Sequence, residues 1–307
     1  MVGATGGTGV HAPARVVVVG GSNVDVLARP RVAALPATSN PGEVTVTAGG
    51  VGRNIAENLA RLGTTVRLVS VVGSDFHGDL VLEATGDAGV DVDLVRRGLT
   101  PTGTYVALLD AEGELVSAVS DMAATASLGE ADVQLAGEAI AAADLVVLDG
   151  NLPTDALVAA WESAVAAGVG VVLDPVSVPK AAAIRHLLGQ ERPLALLSAG
   201  STELDALALD GGSLLDRGVS VLWERAGAAG SLLRTHQESV ELTSLPATVA
   251  DVTGAGDAML AAYCHAVLGG STPAEAARYG HAAAALTVGS RHTVRPDLTD
   301  ATVRSLL

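Results

Sequence analysis

The residues best suited to chemistry lie late in the chain, in a glycine-rich turn that precedes a helical pattern. Residues 251–258 spell D-V-T-G-A-G-D-A and are followed by the helix-forming run M-L-A-A. Small residues at Gly254, Ala255 and Gly256 allow backbone N–H groups to approach an anion, and the helix N-terminus adds positive charge. A carboxylate at Asp257, beside an anion, is suited to accept a proton from an attacking hydroxyl group. A plain loop-to-helix junction is the alternative interpretation.

A second glycine turn, residues 49–63, also enters a helical pattern. Its sequence is G-G-V-G-R-N-I-A-E-N-L-A-R-L-G. A tight structural connection is the alternative interpretation of this turn. The two turns are about 200 residues apart, so a scaffold is needed to bring them to one site.

The surrounding pattern is that of an α/β protein. Residues 15–21 form a β-branched run closed by glycines, which is typical of a strand buried on both faces of a parallel sheet. Similar apolar runs recur at residues 66–72, 145–148, 169–173, 194–197 and 219–222. Alanine-rich helical stretches separate several of these runs. The alternation predicts a doubly wound, three-layer αβα sandwich with a mainly parallel sheet.

Two segments depart from this alternation. Residues 43–47 alternate polar with apolar side chains, and residues 102–119 have the pattern of a hairpin that turns at residues 110–113. They predict a small β-sheet lid, built from about residues 24–48 and 101–122, over the edge of the main sheet where ligands bind. We find no internal repeat or long linker, so we expect one domain over residues 15–307, preceded by a disordered tail at residues 1–14.

Composition excludes several classes of protein. The net charge of −16 opposes binding to nucleic acid or to anionic lipid. No apolar stretch reaches the roughly 18 residues that span a bilayer, and the first residues lack the pattern of a secretory leader, so no membrane association is expected. The only lysine is Lys180, which excludes a P-loop. The only cysteine, Cys264, cannot form an internal disulfide, which indicates a cytoplasmic protein.

The two glycine motifs, in this order, resemble those of the PfkB, or ribokinase-like, family of carbohydrate and nucleoside kinases. The resemblance covers roughly residues 15–307. It implies a ribokinase-like fold, ATP and Mg²⁺ as cofactors, and a small-molecule nucleoside or sugar as the acceptor. In this family Asp257 would be the catalytic base, and Gly254, Ala255 and Gly256 would form the anion hole.

The resemblance also implies which residues bind the acceptor. They are Asn23, Asp25, Gly49, Gly50, Asn54, Asp121 and Asn151. Asn23, Asp25 and Asn54 would hydrogen-bond sugar hydroxyls, and the di-glycine would let the backbone touch the sugar. Asp121 could accept from a ring N–H of a base under the lid. The alternatives are a turn-capping role for Asp25, a loop position for Asn151 and a solvent-facing position for Asp121.

On the nucleotide side, residues 223–230 follow a strand pattern and resemble the family's T-x-G-x-x-G segment. Gly227 and Gly230 would permit approach of ATP, and Arg225 would lie near the triphosphate. His281 begins a predicted helix over residues 281–288, where the family usually has an Asn near adenine. An exposed surface arginine and a satisfied helical histidine are the alternatives at these two positions.

The predicted metal ligands depart from the family pattern. The N-x-x-E motif of the family corresponds here to Gly200-Ser201-Thr202-Glu203, which keeps Glu203 as a water-mediated ligand of Mg²⁺ but replaces the Asn with Gly200. Asp251 and the carbonyl of Thr253 match positions that border a monovalent cation in relatives. A K⁺ ion is therefore a further candidate cofactor.

Within the family, residues 50–56, 109–122 and 285–296 look most like pseudouridine kinases, and Val51 and Arg53 differ from the G-G-K-G-A-N of ribokinase. The implied reaction is phosphorylation of the 5′-hydroxyl of pseudouridine. Another nucleoside or a sugar is the alternative acceptor. Gly200 motivates a second alternative, a nucleoside-binding protein without catalysis. A dinucleotide-dependent oxidoreductase is disfavoured because no G-x-G-x-x-G follows the first strand. An exposed lid edge would favour a homodimer.

Overall fold

The structure is a computed structural model that describes residues 15–208 and 212–307. The predicted tail at residues 1–14 lies outside the described residues. The strands are β1 Arg15–Val19, β2 Asn23–Pro30, β3 Gly42–Gly49, β4 Thr65–Gly73, β5 Val95–Gly98, β6 Gly103–Leu109, β7 Leu115–Asp121, β8 Leu145–Asp149, β9 Gly170–Asp174, β10 Leu196–Gly200, β11 Leu222–Arg225, β12 Ser231–Arg234 and β13 Ser239–Leu242. The helices are α1 Val51–Arg61, α2 Phe76–Asp87, α3 Ala123–Ala126, α4 Glu130–Leu135, α5 Gly137–Ala141, α6 Thr154–Ala166, α7 Val178–Ile184, α8 Ser201–Leu207, α9 Ala255–Leu268, α10 Pro273–Val288 and α11 Asp300–Arg304.

The main sheet has nine strands within the described ranges, in the order β13-β12-β11-β10-β9-β8-β1-β4-β5. All neighbouring pairs from β11 to β5 are parallel, and β12 and β13 add two antiparallel strands at one edge. The carboxyl ends of the parallel strands therefore lie along one edge, which is where ligands bind in open α/β sheets. The prediction of a mainly parallel α/β sheet is confirmed.

Helices cover both faces of the main sheet, as alternation along β1 shows. Val16 and Val18 pack into one core with residues of α1, α9 and α10, whereas Val17 and Val19 pack into a second core with residues of α4, α6 and α7. All four valines are at most 2% exposed. Burial of each such side chain contributes roughly 1.5–3 kcal/mol. The predicted three-layer αβα sandwich is confirmed.

The two departing segments form the small sheet that the sequence predicts, with strand order β3-β2-β6-β7. We call this four-stranded sheet the lid. The β6–β7 hairpin turns where predicted, because Asp110 Oδ1 accepts from the N–H groups of Glu112, Gly113 and Glu114 at 3.0, 2.8 and 2.8 Å. β2 begins four residues after β1, and β3 leads into α1, so the lid joins the main body at the carboxyl end of β1.

Two predicted boundaries are wrong. The run at residues 219–222 was expected to be the strand, but β11 extends over Leu222–Arg225 and carries polar residues at its carboxyl end. The helix expected to begin at His281 begins at Pro273, because Thr272 caps it through a hydrogen bond from Glu275 N–H. Among the helices in the described part of the chain, none is long and apolar enough to cross a membrane.

Candidate active site

The glycine turn before α9 has the geometry of an anion site. Gly254 has a φ of 77°, and a Cβ there would overlap the carbonyl oxygen of Thr293. The first i→i−4 bond of the helix runs from Ala258 N–H to Gly254 O at 2.9 Å. The amides of Gly256 and Asp257 precede that bond and point out of the N-terminus of the fourteen-residue helix α9. An anion placed here meets two N–H donors and the positive end of the helix dipole.

Asp257 is the central side chain of the site. Its Oδ2 accepts a hydrogen bond from Asn54 Nδ2 at 2.9 Å, which joins the two glycine motifs across the fold. Burial raises the pKa of Asp257 to about 7; the Asn54 bond and the charge of Arg225 lower it, and the charges of Asp174 and Asp149 raise it. A carboxylate with this pKa accepts a proton readily at neutral pH.

Two cavities meet at Asp257. The smaller has a volume of about 680 Å³ and lies between the β11 end, α9 and α10. The larger has a volume of about 1300 Å³ and lies between α1 and the lid. Val51, Val176 and Asp257 line both cavities. One titratable group therefore faces two separate ligand-sized spaces, as a reaction between two bound molecules requires.

Val176 has a strained backbone at this junction. Its φ of 66° is in the left-handed region, which a β-branched residue rarely adopts. The N–H of Ser177 donates to Pro175 O at 2.7 Å, which closes a three-residue γ-turn around Val176. The N–H of Val176 donates to Asp174 Oδ1 at 2.8 Å. The turn holds the Val176 side chain where the cavities meet and the Asp174 carboxylate at the wall of the smaller cavity.

The larger cavity is polar on the side of β2 and α1. Asn23 Nδ2 donates to Asp25 Oδ1 at 2.7 Å, and both side chains line this cavity. Burial raises the pKa of Asp25, and the bond from Asn23 and the charge of Arg53 oppose that rise. Gly49 lies directly behind Asp25, since a Cβ at Gly49 would overlap Asp25 Oδ2. This edge offers a carboxylate and amides to ligand hydroxyl groups.

The N-terminus of α1 is held close to β1 by Asp149. Gly50 has a φ of 101°, and a Cβ there would come within 2.5 Å of Gly21 O. Asp149 is fully buried at the end of β8, and its Oδ2 accepts from the N–H groups of Gly21 at 2.8 Å and Gly52 at 3.2 Å. Burial raises the pKa of Asp149, and these backbone bonds oppose that rise. Asp149 thus fixes the floor of the larger cavity.

The smaller cavity combines a cation with glycine backbone at its inner end. Arg225 Nη1 lies 3.0 Å from Asp174 Oδ2, and a Cβ at Gly256 would come within 2.9 Å of the same Nη1. Burial lowers the pKa of Arg225, but the charges of Asp174 and Glu203 outweigh it and raise the pKa. Arg225 is therefore a fixed charge beside the anion site, and it is not the exposed surface arginine of the alternative interpretation.

The outer end of the smaller cavity is apolar. Gly227 and Gly230 line it, and Gly230 has a φ of 98° where a Cβ would overlap Leu242 O. His281 lines it too and is 6% exposed; its Nε2 lies 2.7 Å from Ser231 Oγ. Burial lowers the pKa of His281, so the ring is neutral at pH 7. The histidine therefore has a polar partner and borders the cavity as well.

The residues predicted as metal ligands do not form a closed site. Glu203 Oε2 accepts from Gly200 N–H at 2.7 Å at the start of α8. Asp251 Oδ1 accepts from Thr253 N–H at 2.8 Å, and both residues line the larger cavity. Across residues 15–208 and 212–307, no cluster of three or more His, Cys, Asp or Glu side chains could hold a metal ion directly. Any metal here needs oxygen ligands from bound phosphate or water.

Comparison with known proteins accounts for this arrangement. The family model described as pfkB family carbohydrate kinase matches residues 13–300. The chain belongs to the pfkB family of carbohydrate kinases. It is 34% identical to a pseudouridine kinase of Escherichia coli (strain K12), over 95% of this chain and 96% of that protein. The predicted class of enzyme, an ATP-dependent phosphotransferase, is confirmed at the level of this family.

Solved structures of pfkB-like kinases share the fold. A carbohydrate kinase from Agrobacterium tumefaciens is 33% identical with a TM-score of 0.83, covering 95% of this chain and 96% of its own. A ribokinase of Arabidopsis thaliana complexed with ribose and ATP is 28% identical with a TM-score of 0.79, covering 96% and 98%. The predicted ribokinase-like fold is thereby confirmed.

In this pfkB kinase the structure brings most of the predicted site residues together. Asn151 lines the larger cavity, and its backbone N–H donates to Asp149 Oδ1 at 2.8 Å. Asp121 does not line that cavity: its neighbour Ser120 does, and successive side chains of a strand face opposite sides. Asp121 Oδ1 instead accepts from Ala123 N–H at 3.1 Å. Its expected contact with a base has no support from this position.

Sequence reasoning missed Asp149 and Asp174 in this kinase. Both end a buried parallel strand, and the two are paired in register between β8 and β9. They are 0% and 3% exposed. The signal was present, since an apolar strand that ends in a carboxylate places that carboxylate at the ligand-binding edge of the sheet. Val176 carried no comparable signal, because a positive φ at valine is not visible in a sequence.

Proposed function

We propose that this pfkB kinase transfers the γ-phosphoryl group of MgATP to the 5′-hydroxyl of pseudouridine. The observation that carries the proposal is the position of Asp257, which lines both cavities and lies at the N-terminus of α9. A nucleotide in the smaller cavity and an acceptor in the larger cavity would meet at this carboxylate. The reacting atoms would then lie beside the amides of Gly256 and Asp257.

In the proposed reaction, the acceptor oxygen forms a bond to the γ-phosphorus and the bond from that phosphorus to the leaving oxygen of ADP breaks. The proton of the acceptor hydroxyl passes to Asp257, whose pKa of about 7 matches neutral pH. The two amides and Arg225 stabilise negative charge on the transferred group. Residues of the lid line the larger cavity, and with an acceptor bound they would limit the access of water to the reacting groups.

The smaller cavity fits a nucleotide in shape and chemistry. Leu245, Pro246 and Val249 provide an apolar outer wall for a base, and Arg225 with the α9 N-terminus provides the phosphate end. Mg²⁺ would neutralise phosphate charge there, held by phosphate oxygens and through water by Glu203. Gly200 supplies no side-chain oxygen, so fewer protein ligands are available than the family pattern has. K⁺ near Asp251 and Thr253 stays a prediction.

Support for pseudouridine comes from the relative that acts on it and from the larger cavity. The chain aligns with the E. coli pseudouridine kinase along nearly its whole length. A cavity of about 1300 Å³ has room for a nucleoside, whereas a free pentose would leave much of it filled with water. Asn23, Asp25 and Asn54 line the part that a ribose would occupy. Tyr105 and Ser120 of the lid would lie over the base.

The test is ADP release with MgATP and K⁺ across pseudouridine, uridine, cytidine, ribose and fructose 6-phosphate, with the Asp257→Asn variant beside the wild type. We expect kcat/KM to be highest for pseudouridine and turnover to be lost in the variant. Preference for another acceptor would keep the kinase and overturn the substrate. Binding of pseudouridine without turnover would favour the nucleoside-binding protein suggested by Gly200.

We further propose that two copies associate through the lid. Seven of its large apolar side chains are exposed, among them Val46 at 44%, Val106 at 43%, Leu108 at 43% and Val119 at 68%. The edge strands β3 and β7 also leave backbone groups for another strand. A second copy would cover such a face, since an isolated exposed apolar sheet is unfavourable in water. Sedimentation that shows only monomer at assay concentration would contradict this.

The cytoplasmic location stays a prediction.

A further inference from the structure

Arg53 is a buried cation beside the candidate active site, and it lines the larger cavity. Its residue is 4% exposed and lies in the first turn of α1. Nε donates to Thr85 Oγ1 at 2.9 Å, Nη1 donates to Ala48 O at 3.0 Å, and Nη2 pairs with the carboxylate of Glu57. Nη1 also donates to Asn54 Oδ1 at 3.3 Å. The guanidinium therefore joins α1, α2 and the end of lid strand β3.

Glu57 and Arg61 hold this guanidinium in place. Glu57 is 4% exposed, and its Oε1 accepts from Arg61 Nε at 2.8 Å and Nη2 at 2.6 Å. Burial lowers the pKa of Arg53, and the charge of Glu57 opposes that fall. An arginine stays protonated throughout the range in which proteins are folded. Arg53 is thus a fixed group that can donate hydrogen bonds but cannot accept them.

The Asn54 amide lies between this donor and the carboxylate of Asp257. A guanidinium has no acceptor, and an ionised carboxylate has no donor. Oδ1 of Asn54 must therefore face Arg53, and Nδ2 must face Asp257, where the separation of Nδ2 and Oδ2 is 2.9 Å. The reverse orientation would set two donors against each other and two acceptors against each other. The neighbours of the amide alone thus determine its orientation.

We propose that Arg53 is a positioning residue: its guanidinium fixes the Asn54 amide in the orientation in which Nδ2 donates to Asp257. The proposal deepens, and rests on, the proposed role of Asp257 as the base. Without Arg53 the amide can turn and present Oδ1 to a protonated Asp257, which stabilises the acid form. The fraction of enzyme with a free base at neutral pH then falls.

The other charged groups that face Asp257 lie on different elements from the partners of Arg53. Asp149, Asp174 and Arg225 are on β8, β9 and β11, whereas Arg53 contacts α1, α2 and β3. Replacing Arg53 leaves these three charges in place. Asp25 on the lid is also affected by the charge of Arg53. The test must therefore follow the Asp257 carboxyl itself.

The experiment is a carbon-13 NMR titration of aspartate side-chain carboxyls in the full chain, with Asp257 assigned by its loss in Asp257→Asn. kcat/KM is measured from pH 5 to 9 on the same proteins. Arg53→Met should raise the pKa of Asp257 by about one unit, the size expected when a carboxylate loses one hydrogen bond. In an Asn54→Ala background the same change should have little further effect, because the amide is gone.

Arg61→Met is the matched control. It removes the other guanidinium on Glu57 and leaves the Arg53–Asn54 contact, so the titration of Asp257 should not move. Equal shifts from Arg53→Met with and without Asn54, or an equal shift from Arg61→Met, would show a general electrostatic effect and overturn the proposal. An unmoved titration in folded Arg53→Met would also overturn it.

A further variant is needed in case Arg53→Met does not fold, because that change leaves the buried carboxylate of Glu57 without its Arg53 partner, which is strongly destabilising. The double variant Arg53→Met/Glu57→Gln removes both charges, and it is compared with Glu57→Gln, in which Arg53 keeps its contact with Asn54. Only the double variant should show a raised pKa of Asp257. Equal titrations of Asp257 in the two proteins would overturn the proposal. Turnover retained in Asp257→Asn would defeat the base assignment, while the NMR titration would still decide the role of Arg53.

Discussion

Asp257→Asn should produce a protein that is inactive yet more stable than the wild type above neutral pH. The pKa of Asp257 is raised from 3.8 to about 7 by burial. The folded state therefore holds the proton more tightly than the unfolded chain does. The contribution of the neutral carboxyl to stability is complete below about pH 4, and it is lost as the pH rises through 7. Asn resembles the protonated carboxyl at every pH, so it escapes this loss.

The magnitude follows from the size of the shift. About three pH units, at roughly 1.4 kcal/mol per unit, correspond to roughly 4 kcal/mol. Asp257 borders two open cavities, and water there reduces the effect to about 2 kcal/mol. For a chain of 307 residues, whose unfolding entropy is roughly 0.6 kcal/mol/K, that difference is about 3 °C in Tm. Removing a general base lowers kcat by roughly 10² to 10⁴.

Thermal unfolding of both proteins at pH 5 to 9, with kcat measured at each pH, tests this. The Tm difference should be about 40% of its full size at pH 5 and grow to its full size by pH 8. Asp205→Asn, which changes an exposed carboxylate of α8, is the control and should show no such growth. A Tm difference that is the same at pH 5 and pH 8 would refute the burial argument. Full activity of Asp257→Asn would refute the assignment of the base.

Three further changes have defined outcomes. Gly49→Ala should raise the KM for the acceptor at least about tenfold, because the added Cβ displaces Asp25. Gly86→Ala in α2, where a Cβ meets open space, is the control and should leave that KM unchanged. Equal KM values of the two variants in initial-rate assays would contradict this. Arg225→Met should lower the free energy of unfolding by about 3 kcal/mol, because the buried carboxylate of Asp174 loses its cation, and it should raise the KM for ATP. Denaturant unfolding that matches the wild type would argue against this. Val176→Gly should raise the free energy of unfolding by about 1 kcal/mol, because glycine adopts the positive φ without strain, whereas Val176→Ala keeps the strain. A calorimetric measurement in which the Ala variant is more stable than the Gly variant would exclude strain at this position.

Much of the fold could be predicted from the sequence because it depends on local patterns. Continuous valine runs indicated strands buried on both faces, and the main sheet has them at its centre. Residues 43–47 and 102–119, which alternate or turn, form the lid. The glycine motifs begin α1 and α9 because the small residues allow close approach of the backbone. In each case the signal lies within a few neighbouring residues.

The rest depended on distant contacts or on side-chain direction. The bond between Asn54 and Asp257 joins residues 203 positions apart, and neither motif alone indicates it. Ser120 lines the larger cavity and Asp121 does not, because a one-residue shift along a strand moves a side chain to the other face. His281 was placed at a helix start because the cap at Thr272 was overlooked. Such features are set by packing, which sequence spacing does not specify.

The lateness of α9 in the chain has a consequence for biosynthesis. α9 and α10 cover, together with α1, one whole face of the main sheet. A nascent chain that has released residues up to about 250 contains every strand from β1 to β13, but that face is still without α9 and α10. Such a chain exposes apolar strands and invites aggregation or chaperone binding. The segment that contains α9 and α10 must therefore leave the ribosome before the protein can bury the core around Val16 and Val18. The same event brings Asp257 to the site.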